Sequence, residues 1–243
     1  MLNRYAVLAA AGVTTSLLMW WLLLRRKSPA TGSGAISQAE SDGKRRALLL
    51  VYPAGLFGAI VGAKLAFTFA EGFHYRNDWA ALWSGKSVTG ALLGGYVAVE
   101  LVKRLYEIRT TTGDAFALTV PPALILGRVG CLMQGCCVGV VCDEHWWTIA
   151  DAHAVPRWPA AAVELLFNAC FLAWAIVANR VGWARGNRFH VYLISYGLFR
   201  FAHEFARDDA RWFGPITGYH VVAIALVALG VVRYSQRERT ANT

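Results

Sequence analysis

The chain has 243 residues, of which 56% are hydrophobic and 16% charged, and its formal net charge at pH 7 is +9. This composition is typical of a polytopic membrane protein and argues against a soluble enzyme. The basic residues occur in short clusters between apolar segments instead of along one face, so nucleic acid is not an expected partner. We expect an all-α integral membrane protein in which residues 1–243 form a single domain.

Seven apolar windows are long enough to cross a hydrocarbon core of about 30 Å. They are residues 5–24, 47–70, 87–102, 115–138, 158–179, 189–206 and 217–232. Positive charges follow the first window, whereas a signal peptide carries them before a shorter apolar stretch, so we interpret this window as a retained helix. Residues 28–43 are rich in Gly, Ser and Ala and are predicted to form a flexible cytoplasmic linker.

Basic residues are distributed unequally over the loops, and one alternating set is clearly richer. This set comprises Arg25, Arg26, Lys27, Lys44, Arg45, Arg46, Lys103, Arg104, Arg109, Arg180, Arg185, Arg188, Arg233, Arg237 and Arg239. Loops enriched in Lys and Arg lie on the cytoplasmic side. The predicted topology therefore has seven transmembrane helices, with the N-terminus outside and the C-terminus in the cytoplasm.

Several charged residues lie inside these apolar windows, where a charge is costly and usually functional. At a rise of about 1.5 Å per residue, Arg128, Glu164 and Arg200 are predicted at a similar depth in the outer half of the membrane. One interpretation is a pair of structural ion pairs, Arg128 with Glu164 and Arg200 with Glu204. The other is an anion site, because the planar guanidinium group suits bidentate contact with the phosphate of a lipid headgroup.

The sixth window carries further polar residues at helical spacing. His203, Glu204 and Arg207 follow Arg200 by three, four and seven residues. This spacing predicts one polar helix face directed at protein or at a water-filled cavity. Lys64 is predicted near the outer interface, where it snorkels or guides an anionic headgroup.

Glycine and cysteine are concentrated around Arg128. Gly127 and Gly130 flank the arginine and Gly135 follows, which predicts an irregular segment whose backbone N–H groups face an anion.

The clustered cysteines match no familiar site. The spacing of Cys131, Cys136, Cys137 and Cys142 fits neither a zinc pair nor a C-x-x-C redox motif, so we predict no metal site. The first three are interpreted as small buried fillers, Cys142 as an oxidisable thiol at the outer mouth, and Cys170 as a core residue.

Three stretches resemble the prolipoprotein diacylglyceryl transferase family. Residues 127–139, GRVGCLMQGCCVG, are similar to the family signature in its GRxGC-x3-GCCxG form. Residues 196–208, YGLFRFAHEFARD, resemble the YGxxRFxxEFxR segment, and residues 159–164, PAAAVE, keep the Pro and Glu of HPxQxYE. The order, the spacing and the seven-helix plan agree with this family from about residue 5 to residue 232.

The resemblance implies a multi-pass enzyme of the bacterial inner membrane that requires no cofactor. Such an enzyme transfers the diacylglyceryl group of phosphatidylglycerol to the lipobox cysteine thiol in the signal peptide of a prolipoprotein, releasing glycerol phosphate. The catalytic residues implied are Arg128, Arg200 and Glu204. We add His203 as the nearest substitute base, although a single histidine on a helix face is more often a structural residue. The substrate-binding residues expected are Gly127, Gly130, Arg207, Glu164, Tyr196, Thr89 and Lys64.

The chain departs from the family pattern at Thr89, which stands where a histidine is typical and which cannot act as a base at neutral pH. Alternatives therefore remain open. One is a paralogous transferase with a non-protein acceptor. Another is a transporter or flippase for an anionic lipid, and a third is a structural membrane protein whose polar groups only join helices.

Overall fold

The computed structural model describes residues 4–26, 35–108, 111–151 and 153–241. The chain divides into two compact units, Leu23–Thr111 on the one hand and Met1–Leu22 with Thr112–Thr243 on the other. The prediction of a single domain stays a prediction.

The described residues are mostly helical. The helices are α1 Arg4–Arg26, α2 Ala35–Glu71, α3 Trp79–Ser84, α4 Val88–Leu105, α5 Gly113–Gln134, α6 Ala160–Val181, α7 Arg188–Glu204 and α8 Gly218–Ala241. Every predicted apolar window coincides with one of the long helices, and α3 is an additional short helix. The all-α class is confirmed.

Membrane-spanning character is clearest in four helical segments of the described chain, which are long and apolar enough to cross a bilayer. They are Leu49–Glu71, Gly113–Gln134, Ala160–Val181 and Gly218–Arg239. A shorter apolar stretch, Val7–Leu22, lies in α1. These segments identify a membrane protein.

In the unit Leu23–Thr111, α2 packs against α4 through glycines. A Cβ atom on Gly62 would lie 2.3 Å from the carbonyl oxygen of Gly90, and one on Gly94 would lie 2.3 Å from that of Gly58. Only glycine permits such close backbone contact, and the spacing of four residues within each pair, Gly58 with Gly62 and Gly90 with Gly94, is typical of closely packed membrane helices. The prediction of a flexible linker is wrong for residues 35–43, which belong to α2; residues 28–34 lie outside the described residues.

In the other unit, α5 packs against α6 and α7, and α7 packs against α8. Asp114 near the start of α5 holds the start of α7: it accepts hydrogen bonds from the backbone N–H of Gly186 at 2.7 Å and from Arg188 Nη1 at 3.0 Å. This contact fixes where the two helices begin relative to each other.

A loop layer, residues 135–151, 153–159 and 205–217, covers the opposite ends of these helices. It contains two antiparallel hairpins, β1 Ile149–Ala150 with β2 Pro156–Arg157 and β3 Arg211–Phe213 with β4 Ile216–Thr217. The segment after α5 joins its two parts, because Gly139 N donates to Trp158 O at 2.9 Å and Val140 N donates to Ala206 O at 3.1 Å.

Two local predictions are wrong. Helix α5 continues without interruption through Gly127 and Gly130 to Gln134, so the irregular segment is absent there; its backbone N–H groups are used within the helix. Helix α7 ends at Glu204, and Arg207 lies in the loop layer, where its backbone bridges that of Gly139. The side chain of Arg207 is thus positioned by the loop layer instead of by a helix face.

Candidate functional site

Three helices meet at a buried carboxylate. Glu164 of α6 is fully buried, and its Oε1 accepts hydrogen bonds from Arg128 Nη2 of α5 at 2.7 Å and from the Tyr196 hydroxyl of α7 at 2.8 Å. Asn168, one turn along α6, donates to the Glu164 backbone carbonyl and accepts from the Tyr192 hydroxyl. The predicted pair of Arg128 with Glu164 is present, and it joins α5, α6 and α7 at one point.

A second charged group lies at the end of α7. Arg200 Nη2 is 2.8 Å from Glu204 Oε2 and 3.5 Å from Asp209 Oδ2, and Arg207 Nε donates to Asp209 Oδ2 at 2.8 Å. The predicted pair of Arg200 with Glu204 is therefore also present. Asp209 was missed by the sequence analysis because it lies beyond the apolar window, although an acid two residues after Arg207 is a usable signal.

The two groups form one electrostatic cluster. Glu164 interacts with the charges of Arg128, Arg200 and Arg207, and His203 interacts with the same three guanidinium groups. Three carboxylates, Glu164, Glu204 and Asp209, face the three guanidinium groups. An anion that enters must then be held by N–H groups that these carboxylates leave unused.

Unused polar atoms are present in the cluster. Among the described residues, Arg200 Nη1, Arg207 Nη1 and His203 Nδ1 are buried without a hydrogen-bond partner. Buried donors without partners are uncommon in folded proteins and need an explanation. One explanation is a bound anion that accepts hydrogen bonds from these donors, and arginine and histidine side chains favour such an anion.

The electrostatic state of Asp209 follows from its neighbours. Burial would raise the pKa of this carboxyl group, but the Arg207 guanidinium, through its charge and its hydrogen bond, lowers it to about 2. Asp209 is therefore ionised at neutral pH and orients Arg207.

His203 has a defined hydrogen-bonding state. Trp158 Nε1 lies 3.1 Å from His203 Nε2, and an indole nitrogen can only donate. His203 Nε2 is thus the acceptor, and the proton of the neutral ring is on Nδ1. This arrangement presents His203 to the cluster as a hydrogen-bond donor and does not favour the predicted role as a base.

Thr217 was also missed by the sequence analysis. Its hydroxyl donates to Glu204 Oε1 at 2.8 Å, and its backbone N–H donates to His220 Nδ1 at 3.0 Å. The end of β4 therefore holds the carboxylate that faces Arg200.

The glycines beside Arg128 leave space. Apart from its chain neighbours and the nearby backbone of α5, a Cβ atom on Gly127 would meet no described atom within 4 Å, and the same holds for Gly135 apart from its chain neighbours. Gly130 is buried in α5. The expected contact of Gly127 and Gly130 with substrate stays a prediction.

The cysteines are arranged differently from the prediction. The Sγ atoms of Cys131, Cys136 and Cys137 lie within 4.8 Å of one another, and Arg128 Nη1 donates to Cys131 Sγ at 3.7 Å. They are a group of sulfur donors at the arginine site, which the linear spacing does not reveal. Cys170 was predicted in the core, and this prediction is wrong, because the residue is exposed on the surface of α6.

The remaining candidates, Lys64 and Thr89, belong to the unit Leu23–Thr111. Lys64 Nζ donates to the backbone carbonyls of Leu82 and Gly85, and it lies 5.5 Å from the ring centroid of Phe67. Thr89 is buried near the start of α4, and its hydroxyl has no hydrogen-bond partner among the described residues. Their expected contact with substrate stays a prediction.

Comparison with known proteins gives a consistent result. The sequence profile of the family described as prolipoprotein diacylglyceryl transferase matches residues 1–235. The chain is 27% identical over 213 residues to the phosphatidylglycerol–prolipoprotein diacylglyceryl transferase of Dehalococcoides mccartyi, covering 80% of this chain and 81% of that protein. The enzyme of the same name from Polynucleobacter asymbioticus is 28% identical over 206 residues, covering 78% of this chain and 77% of its own. The phosphatidylglycerol–prolipoprotein diacylglyceryl transferase 2 of Clostridium perfringens is 27% identical over 199 residues, covering 74% of this chain and 75% of its own.

Proposed function

Because the chain belongs to the prolipoprotein diacylglyceryl transferase family, we propose that it transfers the diacylglyceryl group of phosphatidylglycerol to the lipobox cysteine thiol of a prolipoprotein. The thiol sulfur attacks the glycerol carbon that bears the phosphate ester. A carbon–sulfur bond forms, the carbon–oxygen bond breaks, and glycerol phosphate leaves with the electron pair. The thiol proton goes to solvent or to a base.

The leaving group dictates what the site must supply. The phosphodiester of phosphatidylglycerol carries one negative charge, and the released phosphate monoester gains a second. Groups that are fixed beside the developing charge stabilise the transition state more than the bound substrate. The observation that carries the proposal is the cluster of Arg128, Arg200 and Arg207, brought together from α5, α7 and the loop layer, with unused N–H atoms on Arg200 and Arg207.

We assign different roles to the members of this cluster. Arg200 and Arg207 bind the phosphate through Nη1, and Arg128 neutralises the charge that develops during transfer. Glu164, Glu204 and Asp209 orient the guanidinium groups. Buried carboxylates of this kind hold the site together while no substrate is bound.

His203 and Tyr196 complete the site. His203 donates from Nδ1 to a phosphate oxygen, because its Nε2 is occupied by Trp158. Tyr196 donates to Glu164 and so fixes the acceptor of the Arg128 hydrogen bond. Gly127 and Gly130 are proposed to line the path of the lipid beside α5. Contact of Lys64 and of Thr89 with substrate is proposed separately, within the unit Leu23–Thr111.

The proposed membrane arrangement is the seven-span topology in the bacterial inner membrane, with the N-terminus outside and the C-terminus in the cytoplasm. The unequal distribution of Lys and Arg over the loops supports it. In this topology the loop layer, and with it the arginine cluster, faces the outer leaflet, where secreted prolipoproteins emerge.

The test replaces Arg128 and Arg200 singly with Gln in the purified full-length protein. Each variant is mixed with phosphatidylglycerol and a lipobox peptide, and mass spectrometry quantifies the thioether-linked peptide and free glycerol phosphate. We expect transfer to fall on the order of a hundredfold or more in both variants, because charge stabilisation at the leaving group is lost.

Arg180→Gln serves as the control, since Arg180 is an exposed arginine in the last turn of α6 and should leave transfer unchanged. Undiminished transfer in both cluster variants would remove the proposal. Lipid movement without glycerol phosphate release would instead identify a transporter.

A further inference from the structure

Three thiols lie together beside the proposed phosphate site, outside any role assigned so far. Cys131 is in the last turn of α5, and Cys136 and Cys137 follow the helix directly. Their Sγ atoms are all within 4.8 Å of one another. Cys131 is buried, whereas Cys136 and Cys137 are partly accessible.

The backbone explains how sequence neighbours five and six residues apart converge. Gly135 adopts the left-handed conformation with φ 66° and ends α5, and Cys136 N then donates to the Cys131 carbonyl at 3.1 Å. Cys137 is also left-handed, with φ 59°. The chain therefore turns back on the helix end, and both following thiols face Cys131.

The donor set selects the ligand. Thiolate sulfur favours soft or borderline cations, and Zn²⁺ binds it at about 2.3 Å in tetrahedral geometry. Sulfur atoms of such a site are about 3.8 Å apart, so small side-chain rotations bring these three into range. Three protein ligands leave one tetrahedral position free, which is the arrangement of catalytic zinc.

The surroundings suit three thiolates. Arg128 Nη1 donates to Cys131 Sγ at 3.7 Å, and a hydrogen bond of this kind, from outside the ligands themselves, orients a thiolate that binds zinc. A Cβ atom on Gly135 would meet no described atom within 4 Å, so a fourth ligand has room to approach.

We propose that Cys131, Cys136 and Cys137 bind one Zn²⁺ ion whose fourth position takes the acceptor thiol. This inference rests on the proposed function. A thiol that coordinates zinc is deprotonated outright, and its proton passes to solvent. The zinc-bound sulfur attacks the glycerol carbon, the carbon–oxygen bond breaks, and glycerol phosphate leaves beside the arginines. The thioether that forms is neutral, binds zinc weakly and dissociates.

This arrangement answers a chemical problem of the chain. An acceptor thiol has a pKa of about 8.5 and needs activation at neutral pH. Thr89, at the position of the typical family histidine, cannot act as a base, and the proton on His203 Nδ1 makes that ring a donor. A metal that ionises the thiol requires neither of them.

The first experiment measures metal binding alone. Full-length protein is purified with its thiols reduced, loaded with Zn²⁺ or Co²⁺, and analysed for metal content and for the visible bands of tetrahedral Co²⁺. We expect about one ion per chain in the wild type and in the controls Cys142→Ser and Cys170→Ser. Cys136→Ser and Cys137→Ser should bind at least tenfold more weakly while circular dichroism shows the same helix content.

The second experiment measures transfer. Removal of zinc by a chelator should lower transfer to the lipobox peptide, and added Zn²⁺ should restore it. With zinc bound, the rate should be nearly flat between about pH 6.5 and 8.5, whereas a free thiol would lose about tenfold per pH unit below its pKa.

The outcomes separate the two proposals. Absence of bound metal with reduced thiols, a disulfide within the cluster, or transfer that is indifferent to the chelator would each overturn the zinc proposal while transfer itself stands. Metal binding that depends on the three cysteines, with no transfer under any condition, would retain the site and overturn both the proposed function and the role of the fourth position.

Discussion

The indole N–H of Trp158 donates to Nε2 of His203 across 3.1 Å. Trp158 precedes α6, and its backbone is tied to the segment after α5 by hydrogen bonds with Gly139 and Val140. The loop layer thereby determines which nitrogen of a histidine in α7 carries the proton. A residue that looks like a base in the sequence becomes a donor in the folded chain.

This tautomer predicts how substitutions of His203 behave. His203→Asn keeps an N–H group near the position of Nδ1 and should retain most transfer, whereas His203→Phe should lose on the order of tenfold or more, as expected when one donor to a developing charge is removed. The measurement is transfer to a lipobox peptide at several pH values. If both variants were equally inactive, His203 would be acting as the base.

Removal of Glu164 should destabilise the protein strongly. In Glu164→Gln the buried Arg128 guanidinium loses its ionic partner, and uncompensated buried charges cost about 3–5 kcal/mol. The free energy of unfolding in detergent measures the effect. The double variant with Arg128→Gln should recover part of the loss, since the two residues are in contact.

Glu100→Gln is the matched control for that experiment. Glu100 pairs with Lys103 one turn along α4 at 2.9 Å, and such a pair contributes about 0.5 kcal/mol or less. Equal losses in Glu164→Gln and Glu100→Gln would contradict the central role of the Arg128–Glu164 pair.

The sequence predicted the long helices well because the hydropathy of a segment depends on its composition alone. It predicted the Arg128–Glu164 pair because the depth of a residue in the membrane follows from the number of residues between it and the end of its helix. It missed Asp209, Trp158 and Thr217, which reach the site from loops. Their positions depend on hydrogen bonds between segments distant in sequence, such as Val140 with Ala206. No spacing rule records such contacts.

One wrong prediction and one omission have a common physical cause. The glycines around Arg128 predicted an irregular backbone, which is wrong, and the spacing of the cysteines did not predict that three of them converge, because each residue type was interpreted from its neighbours in sequence. In the fold, α5 stays helical past Gly127 and reverses only at Gly135, with φ 66°. That single reversal brings Cys136 and Cys137 back to Cys131, which a linear pattern cannot show.

Asp209→Asn should remove an acid-sensitive part of the stability. Burial opposes ionisation of this group, but Arg207 lowers its pKa to about 2, below the ordinary value of 3.8. A depressed folded-state pKa stabilises the protein above the unfolded-state pKa, and this contribution is lost as the pH falls from about 4 to 2. It amounts to about 2 kcal/mol at 1.36 kcal/mol per unit.

Denaturation of wild type and Asp209→Asn across pH 2 to 7 checks this expectation. The difference between them should be constant above about pH 5 and should shrink toward pH 2. A difference that grows on acidification would show that Asp209 is not the ionised partner of Arg207.

Glycine substitutions distinguish packing from access to the site. In Gly94→Ala the new methyl group would lie 2.3 Å from the carbonyl oxygen of Gly58, so α2 and α4 must separate, and overpacking of this kind costs about 1–3 kcal/mol or more.

Gly127→Ala meets no described atom within 4 Å and replaces glycine by a better helix former, which should leave stability unchanged or raise it by up to about 1 kcal/mol. The same methyl group occupies the open space beside Arg128, however, and larger side chains at this position, in the order Ala, Val and Leu, should progressively raise the KM for phosphatidylglycerol. Thermal unfolding and the concentration dependence of transfer separate the two effects: stability should fall only for Gly94→Ala, and lipid affinity should fall in steps only for the Gly127 series. Full activity of Gly127→Leu would mean that the lipid does not pass beside Arg128, and the proposed phosphate site would then have to be entered from another side.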